Sequence, residues 1–106
     1  MKFEEYQKRA TATAIYPAKF SVLYPALGLA GEAGEVADKV KKIVRDNKQL
    51  VDEREELAKE LGDVLWYINA MARDIGYSLE VIAEINLNKL ESRKERGTLQ
   101  GSGDNR

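Results

Sequence analysis

Apolar residues recur at steps of three and four along most of this 106-residue chain, which is the period of helices that bury one face. The pattern predicts four helices, which run from Phe3 to about Ile15, from Pro25 to Asp46, from Asp52 to Ile75, and from Ser78 as cap to Gly97. Residues 16–24 contain one of the two prolines and border the other, so we expect an irregular connection there.

Local signals mark the ends of the last two helices. Asp52 and Glu55 have the spacing of a capping box, which predicts that the third helix begins at Asp52. Gly76 is a typical C-terminal stop, Ser78 is a typical N-cap, and Gly97 again favours a helix end.

Short links between consecutive helices favour antiparallel neighbours, so the predicted fold is an all-α, antiparallel four-helix bundle. The predicted organisation is one helical domain over residues 1–96 and a Gly-rich C-terminal tail over residues 97–106. A domain of this size buries only about two thirds of its unfolded surface, so a partner chain can contribute to its stability.

The amino-acid composition limits the kinds of functional site that the chain can form. The chain has 17 Lys and Arg against 18 Asp and Glu, a balance that argues against a nucleic-acid binder. It has no Cys and no His, which excludes disulfides, thiolate zinc sites, cysteine nucleophiles and Ser-His-Asp triads. Any side-chain metal site must use oxygen ligands, which favours Mg²⁺ or Mn²⁺.

No stretch is long and apolar enough to predict a membrane span, and the acidic, polar start does not resemble a signal peptide. We therefore expect a cytoplasmic protein that has no membrane partner.

Two pairs of carboxylates are the main candidate site. Glu32 and Glu35 lie three residues apart on the second predicted helix, and Glu60 and Asp63 lie three apart on the third. Each pair therefore shares a helix face. If the two apolar stripes pack together, the four acids converge and repel one another, and bound Mg²⁺ relieves that repulsion. The alternative is ordinary solvent-facing charge, which is common in a chain that is 33% charged.

Three glycines lie inside these helices beside the acids: Gly31, Gly34 and Gly62. A glycine within a helix costs about 0.5–1 kcal/mol relative to alanine. We expect these positions to allow either a close approach of backbones or room for a ligand.

Lys89 and Arg93 lie four residues apart on the fourth predicted helix and so share a face. Such a pair suits phosphate, which Arg binds through a fork of donors and Lys as a point charge. A solvated basic face is the alternative. In the tail, Arg106 and the backbone amides near Gly101 and Gly103 are further candidate phosphate contacts.

The acids stand in the segments G-L-A-G-E-A-G-E-V (28–36) and E-L-G-D-V-L (60–65). These segments resemble the E-x-x-E and E-x-x-D signature of the MazG-like nucleotide pyrophosphohydrolases, which belong to the all-α NTP pyrophosphatases. Here 24 residues separate Glu35 from Glu60. Asn86, Lys89 and Arg93 resemble the downstream N-x-x-K-x-x-x-R element of that family. The resemblance covers about residues 27–96.

The resemblance implies an enzyme that cleaves a (d)NTP between its α- and β-phosphates, giving (d)NMP and pyrophosphate, and that serves in nucleotide-pool house-cleaning. It implies Mg²⁺, with Mn²⁺ as a substitute, held by Glu32, Glu35, Glu60 and Asp63. Glu35 is the expected catalytic residue that orients or deprotonates the attacking water. Lys89, Arg93 and Asn86 are expected to bind phosphates, and the assembly is expected to be a homodimer or a dimer of dimers.

The base pocket is the part that the resemblance defines least. Gln7, Tyr16 and Tyr67 are the candidates, because amide and aromatic side chains of the N-terminal region and the turn after Asp63 can line it. Trp66 is expected to serve packing instead. A competing hypothesis is a non-catalytic helical module for oligomerisation or regulation. A di-iron carboxylate bundle is disfavoured because its ligand motif requires His.

Overall fold

The computed structural model describes residues 1–106 and contains only helices, connections and the tail. The helices are α1 (Phe3–Thr11), α2 (Leu23–Arg45), α3 (Leu50–Ile75) and α4 (Leu79–Glu95), with a short 3₁₀ helix (Ala18–Phe20) between α1 and α2. The predicted all-α, four-helix architecture is confirmed. None of the helices combines the length and apolar character needed to cross a bilayer.

Helices α2 and α3 form a long hairpin that makes most of the contacts between elements. Helix α1 packs on both α3 and α4, and α4 also touches α3. Four buried apolar residues lie on these three helices: Ala10 on α1, Ala70 and Ala72 on α3, and Leu79 at the start of α4. The Gln7 side-chain oxygen accepts a hydrogen bond from the Leu79 N–H at 3.1 Å, so α1 also caps the start of α4.

Helix α1 is shorter than the predicted Phe3–Ile15. The Thr13 hydroxyl donates to the Ala10 carbonyl at 2.6 Å, and the Thr13 and Ala14 amides bond three residues back. A threonine side chain that bonds its own backbone competes with the helical ladder, which explains the early end at Thr11.

The predicted capping box of α3 is wrong. Gln49 occupies the N-cap position without a side-chain hydrogen bond, and the helix begins at Leu50. Asp52 lies instead inside the first turn beside Glu53. Negative charge there stabilises the free N–H groups of a helix start through the dipole, so the two acids favour the terminus without capping it.

The ends of α4 agree with the prediction. The Ser78 hydroxyl oxygen accepts a hydrogen bond from the Val81 amide at 3.1 Å. At the other end Gly97 has a φ of 71°, and the Thr98 amide donates back to the Arg93 carbonyl at 2.7 Å. Glycine adopts this left-handed conformation without the steric cost that other residues meet.

The tail folds back on α4. Arg93 is only 4% exposed as a residue, and its guanidinium donates to the carbonyl of Asp104 at 2.7 Å. Lys89 Nζ lies 3.2 Å from the Asp104 carboxylate. The hydrogen bond and charge of Lys89 lower the pKa of Asp104. Arg106 donates to the carbonyls of Thr98, Leu99 and Gly103. Its guanidinium therefore closes the tail on itself instead of remaining free for a phosphate.

The chain is less compact than a typical folded domain of its length. Only 7 of 106 residues are buried, and the radius of gyration is 16.6 Å, against about 13 Å for a compact domain of this length. The accessible surface is 7995 Å², whereas folded monomers of this mass average about 5,900 Å². Apolar residues of the predicted stripes, such as Val44 and Leu61, are more than half exposed.

The internal glycines differ in their surroundings. A Cβ at Gly31, Gly34 or Gly62 would meet no atom within 4 Å, so none of them allows a close approach of backbones within this chain. A Cβ at Gly28 would instead overlap the ring of Tyr67 on α3. Gly28 is therefore the glycine that lets α2 and α3 pack closely.

Gly28→Ala should destabilise the chain by about 1–3 kcal/mol, because the new methyl group displaces the Tyr67 ring. Gly31→Ala is the matched control on the same helix and should stabilise by about 0.5–1 kcal/mol through helix propensity. Urea denaturation of both variants measures the difference. Equal effects of the two substitutions would contradict the close contact at Gly28.

Candidate metal centre

Three of the four predicted acids converge between α2 and α3. Glu32 projects from α2, and Glu60 and Asp63 project from α3, with one oxygen of each carboxylate within 4.8 Å of the others. The i, i+3 spacing places Glu60 and Asp63 on one face of α3, and the packing of the hairpin brings Glu32 opposite them.

The carboxylates of the cluster repel one another. The pKa of Glu32 is raised by burial and by the charges of Asp63, Glu60 and Glu35. A carboxylate in this position is stabilised by a proton or by a cation. Three convergent carboxylates with solvent access fit Mg²⁺, which binds carboxylate oxygens and keeps several waters.

Lys39 is a neighbour of the cluster that the sequence pattern did not single out. Its Nζ lies 3.7 Å from the Glu60 carboxylate, and both side chains are largely shielded. Lys39 follows Glu32 by seven residues, which is two helical turns, so the two share a face of α2. The seven-residue spacing from Glu32 was the sequence signal that could have identified Lys39. The ammonium group partly balances the acidic charge on the Glu60 side.

Glu35 does not join the group of three. It is exposed, and no oxygen of its carboxylate lies within the 4.8 Å set. Its charge still contributes to the raised pKa of Glu32 one turn away. The other acids near the site are paired elsewhere, since Asp38 bonds Lys41 and Lys42 and Glu56 bonds Lys59.

An open cavity of about 360 Å³ borders the acids and is lined by Thr13, Glu32, Asp63, Trp66 and Tyr67. The Trp66 indole N–H donates to the Thr13 hydroxyl at 2.7 Å, so the connection after α1 holds the indole in place. Thr13 was not among the predicted site residues, because a threonine near a helix end carries no distinctive sequence signal.

A second cavity of about 380 Å³ also has Thr13 and Trp66 in its wall and extends toward Tyr6 on α1. Burial raises the pKa of Tyr6, and the negative charge of Asp63 adds to the shift. The phenol thus lies within electrostatic reach of the acids. The two cavities share Thr13 and Trp66 as lining residues.

The predicted base-pocket residues occupy three different places. Tyr67 lines the acidic cavity and packs edge-on against Trp66, with ring centroids 4.9 Å apart. The Tyr16 hydroxyl donates to the Asp74 carboxylate at 2.7 Å, and its ring stacks on Tyr24. The Gln7 side chain is engaged by the start of α4 and lines neither cavity.

The predicted phosphate-binding residues lie on α4. Asn86 is exposed, while Lys89 and Arg93 contact the tail through Asp104. None of the three lines the cavity of the acidic cluster. Their assignment to phosphate stays a prediction.

Residues 21–98 match the family described as the MazG nucleotide pyrophosphohydrolase domain. The chain belongs to this family. The matched segment spans α2, α3 and α4 and includes all four acids, so the MazG domain contains the whole carboxylate cluster. The resemblance inferred from the two acidic segments is thereby confirmed.

The MazG-domain chain is also similar to the Gene 37 protein of Mycobacterium phage L5, which is 46% identical over 114 aligned positions covering all of both chains. No solved structure gives a significant match.

Glu32→Gln should raise the thermal midpoint of the metal-free chain by about 2–5 °C at neutral pH, because an amide removes one of the repelling charges. Folding raises the pKa of Glu32. Its charge therefore does not lower the stability at pH values below the ordinary carboxyl pKa, and it lowers the stability increasingly as the pH rises through the pKa of the folded chain. The variant should lose that pH dependence.

Thermal scans with and without Mg²⁺ measure both effects. Mg²⁺ should stabilise the wild type more than Glu32→Gln, because a cation that binds only the folded chain raises its stability. Glu56→Gln, which alters an exposed glutamate paired with Lys59 on α3, is the control and should behave as the wild type. A wild type that does not respond to Mg²⁺ or Mn²⁺ would contradict the metal centre.

Proposed function

We propose that this MazG-domain chain is a Mg²⁺-dependent nucleoside triphosphate pyrophosphohydrolase that converts a (d)NTP to (d)NMP and pyrophosphate. The observation that carries the proposal is the convergence of Glu32, Glu60 and Asp63 beside an open cavity, within a segment that matches the pyrophosphohydrolase family. Removal of unusual nucleotides from the cellular pool is the role that such a reaction serves.

In this proposal Glu32, Glu60 and Asp63 hold Mg²⁺, and Mn²⁺ can replace it. Bound Mg²⁺ supplies neutralisation of phosphate charge and a lowered pKa for water. Glu35 is the proposed catalytic base. Its exposed carboxylate, one turn from Glu32, can accept a proton from the attacking water once a substrate covers the site.

Lys89, Arg93 and Asn86 are proposed to bind the outer phosphates and the leaving pyrophosphate. Lys89 is the better supported of the basic pair, because its side chain is 35% exposed whereas that of Arg93 is 5% exposed. Arg93 reaches a phosphate only if the tail moves from its present contacts with Asp104.

Tyr67 is the proposed residue against the nucleobase, supported by its place in the wall of the acidic cavity. Tyr16 supports that wall from behind Tyr24. Gln7 remains a candidate only if the substrate reaches the contact between α1 and α4. Trp66 and Tyr6 add aromatic surface in the second cavity, which has Thr13 in its wall as well.

We also propose that the chain works as a homodimer or homotetramer. Its accessible surface exceeds that of a compact monomer of this mass by about 2,000 Å² per chain. Two copies that covered this excess would bury about 4,000 Å² together, which lies in the range of obligate homodimers. An open groove on α3 contains the exposed side chains of Leu50, Val51 and Leu61. Helix α4 exposes Ile85 and Leu87 as well.

A panel of the eight common (d)NTPs with Mg²⁺, with both monophosphate and pyrophosphate quantified, tests the activity. Asp63→Asn and Glu35→Gln should each lower kcat by at least about 100-fold while the fold survives, because each removes a charge that the reaction needs. Comparison of the two variants separates metal binding from proton transfer, since only Asp63→Asn should also weaken stabilisation by Mg²⁺.

Asp38→Asn is the matched control, because Asp38 is an acid on α2 that bonds Lys41 and Lys42 outside the cluster. Its activity should equal that of the wild type. Lys89→Ala should raise KM for the triphosphate. A wild type that releases no pyrophosphate from any nucleotide would overturn the proposal and favour a non-catalytic helical module.

Sedimentation velocity tests the assembly. The wild type should sediment as a dimer or tetramer, and Val51→Glu should shift it toward the monomer by placing a charge in the apolar groove. Ile15→Glu is the control, because Ile15 is 92% exposed and lies outside that groove. A monomeric wild type at micromolar concentration would refute the proposed oligomer.

A further inference from the structure

One buried carboxylate holds both ends of the connection between α1 and α2. The side chain of Asp74, near the end of α3, is only 3% exposed. Its Oδ2 accepts hydrogen bonds from the Tyr16 hydroxyl at 2.7 Å and from the Val22 amide at 2.9 Å. Its Oδ1 accepts from Arg73, which also donates to the Tyr16 hydroxyl at 2.8 Å.

These bonds keep Asp74 ionised. Burial on its own raises the pKa of the carboxyl group, but hydrogen bonds from Val22, Tyr16 and Arg73 outweigh burial and leave the pKa below its usual value. A charged acceptor with several donors holds its partners more firmly than a neutral one.

Val22 is strained where Asp74 binds it. It has a φ of 69° and a ψ of −53°, a conformation that β-branched residues rarely adopt. Such strain persists only where the surrounding structure enforces it, and it is concentrated at functional sites. The next residue, Leu23, begins α2, so the strained residue sets the direction in which α2 and Tyr24 leave the connection.

Tyr16, which Asp74 binds, contacts a series of aromatic rings that reaches the acidic cavity. The Tyr16 ring stacks on Tyr24 with centroids 4.8 Å apart and planes within 20°. The Tyr24 ring lies 6.3 Å from that of Tyr67, which lines the cavity together with Glu32 and Asp63. Tyr16, Tyr24 and Tyr67 form a row, called here the aromatic wall. Tyr24 remains 45% exposed.

We propose that Asp74 is a positioning residue that aligns the aromatic wall with the acidic cavity and thereby sets the affinity for the nucleoside part of the substrate. The proposal rests on the proposed triphosphate hydrolysis and goes beyond it by assigning substrate affinity to a residue outside the cavity. Aromatic faces held in place stack on nucleobases and lose little entropy when the ligand binds.

Two substitutions in the full-length chain test the assignment. Asp74→Asn keeps the size of the side chain but removes its charge, and Tyr16→Phe keeps the ring but removes the hydroxyl bonded to Asp74. Each should raise KM for (d)NTPs by about 3–10-fold, the loss expected for weakened hydrogen bonds of this kind, and should change kcat by less than about twofold.

Asp46→Asn is the matched control. Asp46 also follows an arginine in sequence and pairs with it, Arg45 Nε to Asp46 Oδ1 at 2.8 Å, but it lies exposed at the end of α2. Its KM should equal that of the wild type. All assays run well below the melting temperature of each variant, so that a loss of stability alone does not change KM.

Nucleotide binding provides a readout that does not depend on turnover. Trp66 touches Tyr67, so its fluorescence should report titration with a non-hydrolysable (d)NTP analogue in the presence of Mg²⁺. The dissociation constants of Asp74→Asn and Tyr16→Phe should rise in parallel with KM. Inorganic tripolyphosphate, which has no base, should bind all variants equally.

Lower thermal stability with unchanged KM and unchanged nucleotide affinity would overturn the proposal, because Asp74 would then only stabilise the fold. A fall in kcat with unchanged KM would overturn it as well. A wild type that binds (d)NTP analogues without hydrolysing them counts against the proposed reaction alone, because the binding titrations still decide the role of Asp74. A wild type that binds no analogue overturns the positioning role as well, since Asp74 would have no nucleoside affinity to set.

Discussion

The close packing of α2 against α3 is the contact on which the candidate site depends. It places Glu32 opposite Glu60 and Asp63, where like charges repel and the pKa of Glu32 is raised. Gly28 permits this approach, since any side chain there would overlap Tyr67. The hairpin is therefore stabilised by apolar packing and Gly28, while the acids between its helices oppose that packing until a proton or cation balances them.

The connection between α1 and α2 packs against this hairpin. The connection after α1 supplies Thr13, which holds Trp66, and Tyr16, which stacks behind Tyr24. The hydrogen bonds of Thr13 with Trp66 and of Tyr16 with Asp74 each reach α3 over more than fifty residues of sequence. Asp74 binds Tyr16 and the strained Val22 together, so one carboxylate ties both ends of this connection to α3 just before α2 begins.

The C-terminal tail packs against α4. Arg93 has the burial of a core residue, which a charged side chain attains only with partners for its charge and donors. Asp104 partners its charge, and the Gly103 and Asp104 carbonyls accept hydrogen bonds from its Nη2, whereas its Nε is buried without a partner. Arg106 binds the Gly103 carbonyl as well. In the proposed oligomer, a second copy of the chain would cover apolar side chains that α3 and α4 leave exposed.

Apolar periodicity was sufficient to predict the four helices, because apolar residues repeat with the helical period along each of them. The paired spacing of the acids was sufficient to indicate a common face on each helix, and the family follows from the residues around them. Helix ends at Ser78 and Gly97 were predictable because their caps are local. The end of α1 and the start of α3 were placed wrongly, because a hydroxyl or a carboxylate near a helix end supports more than one local arrangement. Only the tertiary structure could show that Glu35 stays outside the group of three acids, that Lys39 approaches Glu60, and that Arg93 faces the tail. These relations depend on how far each helix is rotated and on contacts between distant segments, neither of which a repeat along one helix specifies.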